Sequence, residues 1–194
     1  MRNNSVKKLT VVSMLLAIII LMAAVPQIGF IQIPILMLSI TIMHIPVIIG
    51  SLLEGPKVGL LLGAAFGISS WAVAMIRPVL PTDYIFQNPL VSIVPRLLFG
   101  LAAYYLFKGS LKFIKNQKVA MSVGAISSTL IHSILVLGSA YIFGTQILTE
   151  VYGALPNIII FLLTMMGVNA IIEALVAAIV AVPVITALQK YLKK

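Results

Sequence analysis

Long apolar runs are the feature of this chain that most constrains its fold. Prolines, glycines and charged residues separate six such segments, at residues 8–26, 40–53, 57–76, 89–108, 118–142 and 157–190. Several approach the ~20 residues that an α-helix needs to cross a hydrocarbon core of ~30 Å. Because strand-like alternation is absent, helices must satisfy the backbone hydrogen bonds inside the membrane. The sequence therefore predicts an all-α integral membrane protein, with residues 1–194 forming a single domain of six transmembrane helices.

Composition and missing motifs argue against several other classes of protein. Of the 194 residues, 61% are hydrophobic and 9% are charged, which leaves too little polar surface for a soluble domain. The net charge of +9 lies in connectors and at the ends, so we predict no nucleic-acid partner. Cysteine and the phosphate-binding GxxxxGK[ST] motif are absent, and His44 and His132 have no acidic cluster beside them. We predict no catalytic residue, metal site or cofactor in this chain, with an intramembrane enzyme as an open alternative.

The basic residues orient the helices. With the N-terminus in the cytoplasm, 11 of the 13 lysines and arginines fall on the cytoplasmic side, as the positive-inside rule requires. They are Arg2, Lys7, Lys8, Lys57, Lys108, Lys112, Lys115, Lys118, Lys190, Lys193 and Lys194. Both termini are then cytoplasmic, and residues 1–25, which resemble a signal peptide, are interpreted as an uncleaved first helix. The outer loops are expected at residues 27–39, 77–88 and 143–156.

The first outer loop is unusually apolar for a solvated segment. It contains Gln27 and Gln32 within the run "PQIGFIQIPILML". We expect this loop to fold back over the bundle, and interfacial packing without function is the alternative interpretation.

Small residues recur at helical spacing in two segments. Gly55, Gly59, Gly63 and Gly67 give the third segment a glycine stripe, which lets another helix approach closely. We favour packing inside the bundle over a partner interface. Ser13 and Ala17 form a weaker small-residue pair on the first segment.

Polar residues descend one face of the fourth segment. Asn88, Ser92 and Arg96 are spaced by four residues, and Gly100 and Tyr104 continue the series. By helical rise, Arg96 lies roughly 12 Å below Asn88, inside the predicted membrane region. Pro95 lacks an N–H group, so we expect it to bend the helix and to free a carbonyl near Val91 as an acceptor.

The fifth and sixth segments bring further polar groups to intermediate depth. Ala120, Gly124, Ser128 and His132 share one helix face, and Asn169 and Glu173 are one turn apart on the sixth segment, followed by Ala177 and Ala181. Ionisable groups at this depth usually face the bundle interior or a wet cavity, and they often serve a function.

Two interpretations of this polar set remain open. In the first, Arg96 pairs with Glu173 and stabilises the bundle. In the second, a solute pocket opens to the outside, and Arg96 binds an anionic group as a guanidinium binds a carboxylate. The remaining candidates are Asn88, Ser92, Asn169 and His132 as hydrogen-bonding groups, Trp71 and Tyr84 as walls or interfacial anchors, Glu173 as an orienting group, and His44 as a hydrogen-bonded core histidine.

Two stretches of sequence resemble a known family. "HIPVIIGSLLEGPKVGLLLGAAFG" (44–67) and "NPLVSIVPRLLFGL" (88–101) look like the S-components, or substrate-binding subunits, of energy-coupling factor (ECF) vitamin transporters, and especially the pantothenate-specific subgroup. The resemblance implies a cell-membrane protein that binds a vitamin from outside, with the first outer loop (Gln27, Gln32) as a lid. It also implies a membrane coupling subunit and two cytoplasmic ATPases as partners, with Ser13 and Ala17 at the interface.

The polar inventory favours one vitamin over another. Pantothenate has a carboxylate, two hydroxyl groups and an amide, which suits one arginine with amides and a histidine. The hydroxymethylpyrimidine precursor of thiamine is a neutral aromatic and gives Arg96 no evident role. A non-transporting membrane scaffold is the alternative from another functional class, and it would need no inward-facing polar ribbon.

Overall fold

The computed structural model describes residues 2–33, 38–79, 81–153, 155–164 and 168–193. Its helices are α1 (Arg2–Ala24), α2 (Pro26–Gly29), α3 (His44–Glu54), α4 (Pro56–Ile76), α5 (Pro89–Ser92), α6 (Val94–Phe113), α7 (Gln117–Tyr152), α8 (Leu155–Thr164) and α9 (Ala170–Lys193). Strands β1 (Phe30–Ile33) and β2 (Leu38–Thr41) form an antiparallel pair, and a 3₁₀ helix covers Pro81–Gln87.

Five helices in the described part of the chain are long and apolar enough to cross a membrane. They are Ser5–Ala24, Pro56–Ile76, Pro89–Phe113, Gln117–Val151 and Ala170–Leu192. Helix α3 has 11 residues, or roughly 16 Å at 1.5 Å per residue, which is about half the hydrocarbon thickness. The predicted helical membrane architecture is therefore confirmed, whereas six crossings and the cytoplasmic position of both termini stay predictions.

The predicted sixth segment, residues 157–190, is helical wherever the structure describes it. It comprises α8, which covers Leu155–Thr164, a short π-helical turn at residues 168–169, and α9 from Ala170. Residues 165–167 lie outside the described residues. Pro183 lies inside α9 without ending it. Most of the predicted outer loop 143–156 is helical, because α7 continues to Tyr152.

A glycine seam joins α4 to α6. A Cβ atom added at Gly59 would collide with the Gly100 carbonyl, and one added at Gly63 would collide with the Arg96 carbonyl. One added at Gly67 would lie 2.8 Å from the Ile93 Cα. The two backbones are in direct contact along this seam, which confirms that the glycine stripe serves packing inside the bundle. Its first member, Gly55, instead separates α3 from α4 at φ +95°, a conformation that other residues rarely adopt.

The fourth segment is interrupted as the Pro95 argument expected. Helix α5 ends at Ser92, and α6 begins two residues later with Pro95 in its first turn. The Val91 carbonyl, predicted to be free, accepts a hydrogen bond of 2.6 Å from Nη1 of Arg96. The bend therefore frees the Val91 carbonyl as an acceptor, and Arg96 donates a hydrogen bond to this carbonyl.

The first outer loop folds into the β1–β2 hairpin, in which Phe30 pairs with Thr41. The backbone N–H of Thr41 donates a hydrogen bond of 2.7 Å to Oε1 of Glu173 on α9. Within the hairpin, the Thr41 hydroxyl also donates to the Gly29 carbonyl at 3.2 Å. This segment is therefore attached to the bundle at its base, in agreement with a loop that folds back. Residues 34–37, at the predicted turn, lie outside the described residues.

Arg77, the one basic residue assigned to an outer loop, caps a helix. Its guanidinium donates to the carbonyls of Ala24, at 3.3 Å, and Ala23. These are among the last carbonyls of α1, which lack partners inside their own helix and carry the negative end of its dipole. Arg77 thus fastens the end of α4 to the end of α1.

Candidate functional site

Two histidines face each other in the middle of the bundle. His44, the first residue of α3, and His132, on α7, have parallel rings with centroids 6.2 Å apart and planes 18° apart. Their side chains are 0% and 3% exposed. The Phe99 ring lies 4.7 Å from His132 and 6.4 Å from His44, and the Phe66 ring lies 5.6 Å from His132. Helices α3, α4, α6 and α7 therefore meet around an imidazole pair.

None of the four ring nitrogens makes a hydrogen bond within the described part of the chain. The Thr41 backbone lies beside His44, without forming such a bond to its ring nitrogens. Leaving one polar group buried and unpaired costs about 1–3 kcal/mol. The interpretation of His44 as a hydrogen-bonded core residue is therefore wrong for the described residues.

Arg96 lies in the same interior region and is 5% exposed. Its guanidinium carbon is 5.6 Å from the Phe66 ring centroid and 5.2 Å from that of Phe86, so two aromatic faces enclose the cation. An arginine has five N–H donors. Nη1 donates to Val91, whereas Nε has no hydrogen-bond partner among the described residues. Arg96 thus retains donor capacity for an anionic group.

Glu173 is buried on α9, but it does not form an ion pair with Arg96 in the described structure. Its carboxylate instead accepts the hydrogen bond from the Thr41 backbone. The two charges act on each other through space, and the Arg96 charge also acts on His132. Direct Arg96–Glu173 pairing is therefore wrong as the explanation for the buried arginine. We name His44, Arg96, His132 and Glu173 the interior polar cluster.

Two other candidates on the fourth segment bond to nearby backbone. The Asn88 side chain accepts from the Leu90 N–H at 3.0 Å and caps α5, as asparagine commonly does. The Ser92 hydroxyl is buried and donates to the Phe86 carbonyl. Both contacts fix the segment that carries Arg96 and Phe86.

The two aromatic candidates lie around the 3₁₀ helix. Nε1 of Trp71 donates to the Gln87 carbonyl at 2.9 Å, and Nε2 of Gln87 donates to the Ala74 carbonyl at 3.0 Å. Trp71 therefore anchors the connection between α4 and α5. Tyr84 lies on the 3₁₀ helix itself and is 51% exposed, so it lies away from the buried cluster.

The remaining candidates fall in three places. Asn169 is half-buried, one helical turn before Glu173. Gln27 lies in α2 and Gln32 in β1, but their side chains lie outside the described part of the structure. Ser13 and Ala17 are exposed on α1, whose buried face consists of Val11, Leu15, Ile19 and Ala23.

Four residues near the site are hard to find from sequence. Nothing in the pattern distinguishes His44 from a core histidine, and Phe66, Phe86 and Phe99 are not conspicuous because apolar aromatic residues are expected throughout a membrane helix. The spacing on α7 was informative, since Ala120, Gly124, Ser128 and His132 are all buried as predicted.

Groups of three or more residues able to hold a metal ion are not found in the described ranges. The cluster can thus bind an anionic group and hydrogen-bond with uncharged polar groups.

A family model described as "ECF transporter, substrate-specific component" matches residues 7–185. The chain belongs to this family. The resemblance of residues 44–67 and 88–101 is thereby confirmed. As a member of it, the chain is a component of a multi-pass membrane transporter rather than an enzyme, and the component that determines which substrate is taken up.

Two named transporters are similar in sequence to this chain. It is 27% identical over 164 residues to the pantothenic acid transporter PanT of Lactococcus lactis subsp. cremoris (strain MG1363), a match covering 77% of this chain and 78% of that protein. It is 29% identical over 119 residues to the pantothenate transporter PanT of Leuconostoc mesenteroides subsp. mesenteroides, covering 60% of this chain and 57% of that protein.

Proposed function

We propose that this chain is the high-affinity pantothenate-binding subunit of an ATP-driven ECF transporter. It binds the vitamin from outside and delivers it inward together with a membrane coupling subunit and two cytoplasmic ATPases. The observation that carries the choice of substrate is the buried guanidinium of Arg96, which lacks an acidic partner within ion-pair distance in the described structure. The names of the two relatives support the same choice.

The chemistry of pantothenate fits the interior polar cluster. A carboxylate near Arg96 would neutralise the buried cation and accept charge-assisted hydrogen bonds, which are roughly twice as strong as neutral ones. The neutral imidazole of His132 offers one donor and one acceptor to a hydroxyl or amide group. Asn169 is a further candidate, whereas Asn88 and Ser92 hold the segment that carries Arg96.

Access to the cluster is proposed to run past the β1–β2 hairpin. This hairpin, which includes Gln32 and follows Gln27, acts as the lid in our proposal. Its attachment to Glu173 places the end of β2 directly beside the interior polar cluster. Opening the lid breaks this backbone-to-carboxylate bond, so in our proposal Glu173 serves the lid rather than the vitamin.

In the proposed topology, six segments cross the membrane and both termini are cytoplasmic. The second segment, residues 40–53, contains the short α3 and crosses from the first outer loop to the cytoplasmic side. The exposed face of α1 that carries Ser13 and Ala17 then contacts the coupling subunit. Small side chains there allow a partner helix to approach closely.

Binding of pantothenate to the purified protein tests this function. We expect tight binding by calorimetry or thermal shift, and a loss of roughly 30-fold or more in Arg96→Met, since removing one partner of a buried charge pair costs about 2–5 kcal/mol. Arg77→Met is the matched control, because that guanidinium bonds only to the end of α1 among the described residues. It should bind pantothenate within a few-fold of the unaltered protein.

Four results would contradict the proposal. Equal binding by Arg96→Met would remove the carboxylate role. Binding of hydroxymethylpyrimidine in place of pantothenate would change the vitamin. Uptake into vesicles that contain this chain without ATPase subunits would contradict the ECF mechanism, and a membrane scaffold would show no vitamin-dependent thermal shift at all.

A further inference from the structure

The imidazole pair is a buried polar feature that contributes no hydrogen bond to the described fold. His44 and His132 are buried, and their four ring nitrogens make no hydrogen bond within the described residues. By contrast, the buried hydroxyl of Thr129 on α7 donates to the Ala125 carbonyl of its own helix. Two apolar side chains of similar size would fill the positions of the histidines without leaving polar groups unpaired. The pair therefore needs a different explanation from stability.

The two rings lie close enough to contact the same small solute group. Their centroids are 6.2 Å apart and their planes are 18° apart, so both sets of ring nitrogens lie in the same part of the interior. Both rings are buried, and all four nitrogens lack hydrogen-bond partners among the described residues. A neutral imidazole has one donor and one acceptor, and a hydroxyl group also donates and accepts. A carboxylate only accepts, which makes it a poorer match.

The pair is positioned beside the site proposed for the carboxylate. The Phe66 ring is 5.6 Å from the His132 ring centroid and also 5.6 Å from the guanidinium carbon of Arg96. His44 begins α3 directly after the hairpin, whose last residue is Thr41. A solute with a carboxylate at Arg96 and a hydroxyl between the histidines would thus extend towards the end of the hairpin.

We propose that His44 and His132 act together as a neutral hydrogen-bonding pair for a hydroxyl group of the transported solute. His44 is then a determinant of specificity alongside Arg96. This inference rests on the proposed function, and it adds the substrate group that the second end of the site recognises. For pantothenate, that group is one of its two hydroxyls.

Replacement of each histidine by leucine tests the pair. We expect His44→Leu and His132→Leu to weaken pantothenate binding by about tenfold or more, while the melting temperature without ligand stays unchanged or rises. A pantothenate analogue without its hydroxyl groups should bind the unaltered protein and His44→Leu equally. Thr129→Val removes a buried hydroxyl that is already paired within α7, and it should leave pantothenate affinity unchanged.

The possible failures are distinguishable. A melting temperature several degrees lower in His44→Leu without ligand, or unchanged pantothenate affinity, would overturn the role of the pair and leave the proposed function intact. Binding of hydroxymethylpyrimidine, which also carries a hydroxyl, in place of pantothenate and its weakening in His44→Leu would support the pair while overturning pantothenate. Binding of neither compound would overturn both proposals.

Discussion

The glycine seam and the interior polar cluster meet on α6 but are built in opposite ways. In the seam, the backbones of α4 and α6 touch at Gly59 and Gly100, and the Ser51 hydroxyl donates to the Gly100 carbonyl at 2.8 Å. In the cluster, Arg96 and the imidazole pair carry donors and acceptors without partners among the described residues. One region uses its contacts to hold the bundle together, and the other keeps hydrogen-bonding capacity unused.

This difference separates residues that maintain the fold from residues that serve binding. Small residues let helices associate by close packing in lipid, where little hydrophobic drive brings them together. Buried groups without partners instead lower stability, so their presence calls for a functional explanation. Substitutions should therefore reduce stability in the seam and reduce vitamin affinity in the cluster.

The largest effect is expected from Gly100→Val in the seam. A side chain there would collide with the Gly59 carbonyl and force α4 and α6 apart. Overpacking of this kind typically costs 1–3 kcal/mol or more, and here the neighbour is rigid backbone. We expect little folded protein by size-exclusion chromatography in detergent. Gly109→Ala, on the same helix with open space around its Cβ position, should be neutral or stabilising by about 0.5–1 kcal/mol.

If Gly100→Val instead yielded folded protein with an unchanged melting temperature, the seam would not be the contact that maintains the bundle, and the comparison between the two regions would fail.

An intermediate effect is expected from Glu173→Ala, because Glu173 belongs to the interior polar cluster but contacts the hairpin. Glu173 has a structural partner, the Thr41 N–H, and hydrogen bonds to charged groups contribute about 1.5–3 kcal/mol. Its loss should increase amide hydrogen exchange over residues 38–41 without abolishing pantothenate binding. Glu173→Gln keeps a carbonyl acceptor and should retain most of the protection. Complete loss of binding in Glu173→Gln would show instead that the carboxylate contacts the vitamin.

The smallest effect is expected from Arg77→Ala. The result is to be compared with that of Arg96→Met, because Arg77 caps a helix whereas Arg96 is buried in the cluster. Arg77 caps exposed carbonyls at the end of α1, an interaction of roughly 0.3–1 kcal/mol. The melting temperature in detergent should fall slightly, and Arg77→Lys should recover part of the loss through its charge. A severe loss of folded protein would show that Arg77 is as important for the fold as the glycine seam, and that it is more than a helix-end contact.

Much of the architecture could be predicted from periodicity and charge. The segment 57–76 became α4 at Pro56–Ile76, and Gly59, Gly63 and Gly67 of the glycine stripe and the face of α7 with His132 were buried as expected. The break in the fourth segment also followed from Pro95, whose ring removes a backbone donor. The continuation of α7 to Tyr152 was not predictable in the same way, because polar residues such as Gln146 and Glu150 favoured a loop there.

The partners of individual polar groups were less predictable. Spacing placed Asn88, Ser92 and Arg96 on one face, but it did not reveal that the first two bond to nearby backbone. It also suggested Arg96–Glu173 pairing, whereas Glu173 accepts from the hairpin. Such partners come from segments far apart in the chain, and no helical period encodes them.

A helical membrane protein with a buried arginine could be inferred from the amino-acid order alone, because apolar length and the energetic cost of charge in lipid follow directly from composition and position. Which buried groups have partners could not be inferred in this way, because that depends on how the helices pack. The facing of His44 and His132 across α3 and α7 arises from helix packing, which brings together residues 88 positions apart along the chain. Hydrogen bonds depend on distances of a few ångströms, and the fold alone sets those distances.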